Sequence, residues 1–345
     1  MPSDPGTSTS TLQTSPGDSV LDEGFAVAML PRRSFGAHKW SVGGVVIVAG
    51  GPGYIGAAAL SAMAAGRAGA GVINVAVPRG AMTAIVALVP EAAFIPLPES
   101  DLESSTSRVG EAISAKLAKS KAAVVGPGLG EDDYADALMR TLFGRAGARR
   151  SGSVGFRSIG EDDQSPDRDA GAGLIGGDVP TVIDADGLNW LAKQPEWWKF
   201  ARPGTLVLTP HVGEMSRLTG KSAEEILSDP AEQSRDAARV WRQTVVLKHG
   251  HSIATDGERA YVSGDIALSL ATGGSGDVLA GTIGAFLAQG VAPLEAAGLG
   301  LYLGTRAARR VEERFGVLGL TASDLPKAIA EEIAFVERKR EAERG

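Results

Sequence analysis

Cysteine is absent from the 345 residues, and aromatic residues make up only 5% of them. The absence of cysteine excludes disulfides and thiolate metal sites, but it leaves the cellular compartment open. The chain also has no long basic stretch, since its 34 basic residues are outnumbered by 41 acidic ones and the net charge is −7. We therefore expect no nucleic-acid partner.

No apolar run reaches the roughly 18 residues that a membrane-spanning helix needs. The N-terminus also lacks the charged-then-apolar pattern of a secretion signal, so we expect a cytoplasmic protein without membrane contact. Small apolar residues are abundant instead: hydrophobic residues make up 43% of the chain, which also has 46 glycines. A core of Ala, Val, Leu and Ile served by many tight turns is typical of α/β enzymes.

The composition divides the chain into three parts. Residues 1–25 are rich in Ser, Thr, Pro, Gly and Asp, which predicts a disordered leader. Residues 26–345 show no linker between two cores, which predicts a single domain. Within it, Arg145–Val179 has no apolar period and is dense in Gly, Arg, Asp and Ser. This stretch predicts a disordered insert, with a lid over the site as the alternative.

Short β-branched runs predict buried strands of a parallel sheet. They are Val45–Ala49, Val72–Val77, Ala122–Gly126, Thr181–Ala185, Thr205–Leu208 and Thr244–Lys248. Helical stretches separate these runs, beginning with a βαβ unit whose helix is predicted over Ala57–Ala68. A mostly parallel sheet with helices on both faces accounts for this order of elements.

Loops rich in glycine, carboxylates and histidine follow several of these strands. In open α/β sheets, ligands bind at the edge where parallel strands end. Asp184 and Asp186 follow one strand and are candidate ligands for Mg²⁺. The alternative is that Asp186 caps the next helix while Asp184 bonds loop amides.

A second glycine-rich loop runs into an apolar helix predicted over Val278–Gln289. The first amides of such a helix have no intrahelical acceptor and lie at the positive end of the helix dipole, which predicts an anion hole. This anion hole would be formed by Gly274, Ser275 and Gly276. Asp277 stands at the junction of loop and helix, and the loop alone leaves two interpretations open: a helix N-cap or a catalytic carboxylate.

Five motifs together resemble the ADP/ATP-dependent NAD(P)H-hydrate dehydratases of the ribokinase-like superfamily. They are GPGLG (Gly126–Gly130), VIDADGLN (Val182–Asn189), LTPHVGEMSRLTG (Leu208–Gly220), LKHGHSIATDG (Leu247–Gly257) and TGGSGDVLAG (Thr272–Gly281). The resemblance runs from about residue 42 to residue 315, apart from the insert. It implies a three-layer α/β/α fold with a mostly parallel central sheet.

The resemblance also implies a repair reaction on (6S)-NADHX or NADPHX. The C6 hydroxyl would be phosphorylated with Mg²⁺ and ADP or ATP, ADP being favoured, and phosphate would then leave to restore NADH or NADPH. Asp277 would accept the hydroxyl proton. The hydrate would contact Ala57, Gly130, His211 and Asp277, and the nucleotide would contact Lys248, His249, Gly250, His251, Ser252 and Gly276.

Alternatives remain for two of these residues. The alternative for His211 is a loop histidine paired with Glu214, and the alternative for Lys248 is a solvated strand end, which the surrounding cluster of residues disfavours. Three substitutions depart from the family pattern: Ser275 for the usual threonine, Val212 for the common proline and His249 for the common glycine. The first glycine loop, Gly50–Gly56, is also shorter than is usual in the family.

The family often carries an epimerase domain in front, which the short leader cannot contain. We therefore expect a dehydratase alone, a homo-oligomer that works beside a separate NAD(P)HX epimerase. Two other functions compete with this interpretation. One is a ribokinase-like kinase for a vitamin precursor or small alcohol, and the other is a non-catalytic nucleotide-binding sensor.

Overall fold

The apolar runs of the sequence form one ten-stranded sheet in a computed structural model of the protein, which describes residues 18–98, 103–144 and 173–344. The strands are β1 (Asp18–Leu21), β2 (Gly44–Val48), β3 (Val72–Pro78), β4 (Ala93–Leu97), β5 (Ala122–Val125), β6 (Thr181–Ile183), β7 (Leu206–Leu208), β8 (Thr244–Leu247), β9 (Ile253–Thr255) and β10 (Ala260–Ser263). The helices are α1 (Glu23–Met29), α2 (Lys39–Val42), α3 (Ile55–Arg67), α4 (Met82–Leu88), α5 (Glu103–Leu117), α6 (Asp133–Leu142), α7 (Asp186–Ala192), α8 (Val212–Thr219), α9 (Ala223–Ser228), α10 (Pro230–Trp241), α11 (Ser275–Ala288), α12 (Pro293–Phe315) and α13 (Leu325–Ala342).

The strands lie in the order β1-β10-β9-β8-β7-β6-β5-β2-β3-β4. Every neighbouring pair is parallel except the two that include β9, which runs antiparallel to both β8 and β10. The central strand β2 is buried at all five residues, as its uninterrupted apolar run predicts. The predicted, mostly parallel sheet is confirmed.

Helices cover both faces of the sheet and give three layers. One hydrophobic core joins the sheet to α3, α11, α12 and α13, and a second core joins it to the helices from α5 to α10. Helices α3 and α11 pack closely, backbone against backbone. A Cβ on Gly281 would lie only 2.1 Å from the Ser61 carbonyl oxygen, so only glycine fits there. No helix among the described residues is both long and apolar enough to cross a membrane.

The predicted disordered leader does not hold for residues 18–25. Strand β1 pairs in parallel with β10, and the Asp18 carboxylate forms a buried ion pair with Arg235. The Asp22 side chain then caps α1 by accepting a hydrogen bond from the Phe25 amide at 2.7 Å. These contacts order a polar stretch whose composition alone indicates disorder, and residues 1–17 lie outside the described residues.

The predicted disordered insert likewise ends earlier than Val179. Ile175 is 1% exposed, and its amide donates to the Leu142 carbonyl at 2.8 Å. The Gly176 carbonyl accepts a bond from the Arg202 amide. Residues 173–179 are therefore packed against the second core, whereas the rest of the predicted insert, 145–172, lies outside the described residues.

Candidate active site

Helix α11 begins three residues before the predicted position. Gly274 is its N-cap, with φ of +92°, and a Cβ there would lie 2.6 Å from Leu60 Cδ1, so a side chain is excluded on both counts. The Ser275 hydroxyl donates to the Leu270 carbonyl at 2.8 Å and holds the loop in place. Asp277 is therefore the third helical residue, and its interpretation as the N-cap is wrong.

The Asp277 carboxylate is held in an environment that resists ionisation. Its backbone carbonyl accepts a hydrogen bond from the Ser61 hydroxyl at 3.0 Å, which ties this turn of α11 to α3. Burial, followed by the charge of the Asp184 carboxylate, raises the pKa of Asp277 to about 7; Asp186 adds to this shift and the Lys248 ammonium opposes it. At neutral pH this side chain can both accept and release a proton.

Lys248 connects the ends of two strands. At the end of β8, its Nζ donates to Asp184 Oδ1 at 2.8 Å and lies 3.8 Å from Glu214 Oε2. Thr209 Oγ1 donates to the same Asp184 oxygen at 2.8 Å. Burial lowers the pKa of Lys248, but the two carboxylates outweigh it and the pKa is raised. The interpretation of Lys248 as a solvated strand end is therefore wrong.

His211 is the N-cap of α8 and forms a reciprocal capping box with Glu214. His211 Nδ1 accepts from the Gly213 amide at 3.0 Å and from the Glu214 amide at 3.3 Å, while the Glu214 carboxylate accepts from the His211 amide at 2.8 Å. Burial lowers the pKa of His211, and the cations Lys248 and Arg217 lower it further. The imidazole is therefore neutral at pH 7.

A cavity of about 590 Å³ opens above these groups. It brings together most of the sequence-predicted site: Asp184, His211, Lys248, His249, Gly250, Ser252, Gly274, Ser275, Gly276 and Asp277. Apolar side chains that include Leu268, Leu325 and Ile329 complete its lining. A lining with both polar and apolar groups suits a ligand with phosphates and a flat base.

Four predicted residues do not line this cavity: His251, Ala57, Gly130 and Asp186. His251 Nδ1 lies 2.8 Å from the Ser263 carbonyl oxygen and supports the loop. Ala57 lies in the first turn of α3, and Gly130 lies at the end of the loop Gly126–Gly130. The Gly50 amide joins this loop to the one that precedes α3 by donating to the Pro127 carbonyl at 2.9 Å. Ala57 and Gly130 therefore border the site from the side of α3.

Asp186 faces these glycine loops. Its Oδ2 accepts from the Gly130 amide at 2.8 Å, and Ala185 is the N-cap of α7, so the interpretation of Asp186 as the helix cap is wrong. Ala185 lies between the two aspartates and has φ of +48°, a strained conformation for a residue with a side chain. This turn of the backbone lets Asp184 bond Lys248 while Asp186 bonds the Gly130 amide.

Glu214 was predicted only as a partner of His211, yet it supplies the second carboxylate beside Lys248. Within the described parts of the chain, no group of three or more His, Cys, Asp or Glu side chains is arranged to hold a metal ion. Asp184 and Glu214 nevertheless offer oxygen ligands of the kind that Mg²⁺ prefers, which water and phosphate oxygens would complete. The pair fits a cation that arrives with a nucleotide.

A family model described as NAD(P)H-hydrate dehydratase matches residues 45–146 and 172–331. Among characterised proteins, the chain is 33% identical over 308 residues to the bifunctional NAD(P)H-hydrate repair enzyme Nnr of Moorella thermoacetica, covering 89% of the chain and 52% of that enzyme. It is 32% identical over 319 residues to the Nnr of Salinibacter ruber, covering 91% of the chain and 53% of the enzyme. The chain thus spans about half the length of these relatives.

Solved structures share the fold. A ribokinase-like superfamily protein from Enterococcus faecalis aligns with a TM-score of 0.73 at 21% identity, over 94% of the chain and 98% of that protein. The ADP/ATP-dependent NAD(P)H-hydrate dehydratase of Bacillus subtilis, co-crystallised with ATP and Mg²⁺, aligns with a TM-score of 0.69 at 23% identity, over 93% and 98%. The predicted ribokinase-like fold is confirmed.

Proposed function

The chain belongs to the NAD(P)H-hydrate dehydratase family, and we propose that it dehydrates (6S)-NADHX and NADPHX at the expense of a nucleotide. The observation that carries this proposal is the Asp277 carboxylate, which has a pKa of about 7 and lines a cavity of about 590 Å³ at the first turn of α11. A carboxylate in such a place is suited to accept a proton from a substrate hydroxyl.

The chemistry explains why a dehydration consumes a nucleotide. Hydroxide is a poor leaving group, so the C6 hydroxyl oxygen first attacks the terminal phosphorus of the nucleotide, and the bridging P–O bond breaks to release AMP from ADP or ADP from ATP. The hydroxyl proton passes to Asp277. The C6–O bond then breaks with the help of the ring-nitrogen lone pair, and phosphate leaves. Loss of a proton from C5 restores the reduced nicotinamide ring.

The start of α11 would hold the phosphoryl group during transfer. The amides of Gly274, Ser275 and Gly276 lie at the positive end of the helix, where developing negative charge is stabilised. Gly276 keeps this surface open, because a Cβ there would lie 3.3 Å from Lys248 Nζ and 3.5 Å from Asp184 Oδ2. Phosphoryl transfer depends chiefly on such alignment and charge stabilisation.

Asp184 and Glu214 would hold Mg²⁺ together with the phosphates of the nucleotide. When bound, the ion would supply charge neutralisation of those phosphates. In the structure, the Lys248 ammonium is paired with these same two carboxylates. When Mg²⁺ binds them instead, the ammonium would move toward the phosphates of the nucleotide.

Nucleotide and hydrate would occupy opposite sides of Asp277. We assign the nucleotide to the loop Lys248, His249, Gly250, His251 and Ser252 with Gly276, and its base to the apolar side chains that line the cavity. The hydrate would approach Ala57, Gly130 and His211, with the neutral His211 imidazole available for a hydrogen bond. ADP is the donor we favour over ATP.

The chain would work beside an NAD(P)HX epimerase, because only the S epimer of the hydrate is expected to be a substrate. The relatives from Moorella thermoacetica and Salinibacter ruber are named bifunctional, and the chain corresponds to about half of each. We also propose that it assembles as a homo-oligomer, which sedimentation would test.

The stoichiometry of the reaction separates this function from its competitors. Purified protein with NADHX, Mg²⁺ and nucleotide should release one inorganic phosphate for each reduced nicotinamide recovered. A kinase for a vitamin precursor or small alcohol would instead leave a stable phosphorylated product and release no free phosphate. A sensor would bind nucleotide without consuming it.

A further inference from the structure

The site is rich in negative charge. The Asp184 and Asp186 carboxylates both act on Asp277, Asp184 also acts on Glu214, and Lys248 is already paired with Asp184 and Glu214. A dinucleotide hydrate carries at least a diphosphate. Its anionic groups therefore need a cation that these carboxylates have not neutralised.

Arg217 on α8 is a cation that forms no salt bridge with any of these four carboxylates, although its charge opposes the raised pKa of Glu214. Its side chain is exposed, and its Nε donates to Asn189 Oδ1 at 2.9 Å. Asn189 Nδ2 in turn donates to Asp186 Oδ1 at 3.4 Å, and Asp186 Oδ2 accepts from the Gly130 amide. A chain of hydrogen bonds thus connects the glycine loop at Gly130 to the guanidinium of Arg217.

The guanidinium also lies beside His211. The point where a Cβ would stand on Gly213 is 2.9 Å from His211 Cε1 and 4.0 Å from Arg217 Nη1. Arg217 is accordingly one of the two cations that lower the pKa of His211, after burial and Lys248. Two hydrate-side positions, Gly130 and His211, therefore converge on one oriented arginine.

We propose that Arg217, held through Nε by Asn189, binds a phosphate of the dinucleotide hydrate with its two Nη groups. A guanidinium fork suits this task because it can keep one bond to the positioning side chain while two parallel N–H groups meet phosphate oxygens. The proposal deepens the dehydratase function and rests on it. Arg217 is a binding residue in this account, and Asn189 is a positioning residue.

Steady-state kinetics on the full chain test the assignment. Arg217→Ala should raise the KM for the hydrate about tenfold or more, with kcat within about twofold and the KM for nucleotide unchanged. Arg217→Lys should recover part of the loss, because it keeps the charge but not the fork. Asn189→Ala should move the hydrate KM in the same direction by less, since Arg217 would lose its orientation but keep its charge.

A matched control is Arg140→Ala, which removes an exposed arginine from the last turn of α6, where it is paired with Asp136. That variant should leave both KM values unchanged. Comparing NADHX with NADPHX identifies the phosphate: an equal loss for both assigns Arg217 to the diphosphate, and a loss confined to NADPHX assigns it to the 2′-phosphate.

Two results would overturn the proposal while leaving the dehydratase function intact. One is an active Arg217→Ala variant with the hydrate KM of the parent. The other is a loss that falls on the nucleotide KM instead. A parent protein that does not turn over the hydrate with any nucleotide would overturn the proposed function and this inference together.

Discussion

The Lys248 ammonium donates to Asp184 at 2.8 Å and, from that position, lowers the pKa of Asp277 against the burial that raises it. One lysine thus offsets part of the negative charge at this end of the cavity and holds the pKa of the proposed catalytic carboxylate near 7. This balance leads to measurable consequences for activity and for stability.

The proposed base must be ionised to accept a proton, so activity should follow the titration of Asp277. Its pKa of about 7 predicts that kcat/KM for the hydrate rises with pH through about 7 and levels off about one unit above. A pH profile of initial rates measures this. A profile that is flat across this range, in a protein whose fold is unchanged, would contradict the role of Asp277.

The raised pKa of Asp277 should also lower the free energy of unfolding as pH rises. In the unfolded chain an aspartate ionises near pH 4, whereas Asp277 in the folded protein holds its proton to about 7. The unfolded state therefore releases this proton first, and the parent loses stability between these two pH values.

Asp277→Asn removes that loss. Its free energy of unfolding should exceed that of the parent by about 1–3 kcal/mol at pH 8, and the difference should shrink toward pH 4. Urea unfolding at both pH values checks it. A constant difference, or a variant that is less stable at pH 8, would refute the raised pKa.

Removing the Lys248 charge should leave two carboxylates unpaired. Asp184 is 1% exposed and Glu214 is 5% exposed, so Lys248→Met is expected to lower the free energy of unfolding by about 3 kcal/mol. Lys193→Met is the matched control, since its ion pair with Glu131 is exposed on both sides and should matter by less than about 1 kcal/mol. Similar losses in the two variants would show that Lys248 does not stabilise a buried pair.

Filling the anion hole should impair nucleotide use without unfolding the protein. Gly276→Ala places a methyl group 3.3 Å from Lys248 Nζ in a helical turn where alanine is otherwise favourable. We expect the nucleotide KM to rise about tenfold with the melting temperature retained. Gly177→Ala, where an added Cβ meets its nearest atom at 3.6 Å, should change neither quantity. A nucleotide KM equal to that of the parent would contradict the anion hole.

Much of the sheet could be predicted because its central strands are buried on both faces and read as continuous apolar runs. The sequence does not predict strand β4, because Pro96 interrupts its short apolar run; proline is tolerated there because β4 lies at the edge of the sheet. The sequence does not predict strand β1 either, because this segment is held in place by pairing with β10, about 240 residues away, and no local pattern indicates that contact.

Some residues of the candidate site are likewise predicted by sequence motifs, whereas others are brought there only by tertiary contacts. Lys248 and His211 stand in motifs at strand ends and Asp277 stands in the glycine-rich motif before α11, so the sequence predicts that they converge on one edge of the sheet. The approach of Glu214 to Lys248 is a tertiary contact, and the H-x-x-E spacing that begins at His211 predicts only the cap. The apolar wall at Leu325 and Ile329 comes from the last helix, where no sequence motif marks a ligand.

The most direct test of the central claim is the near-ultraviolet absorbance of a NADHX solution with the protein, Mg²⁺ and either ADP or ATP. The account predicts recovery of the reduced-nicotinamide band, dependent on a nucleotide and faster with ADP. Asp277→Asn should still bind nucleotide but lose at least about a hundredfold in rate. No recovery with either nucleotide, from a folded parent that binds both, would contradict the dehydratase function.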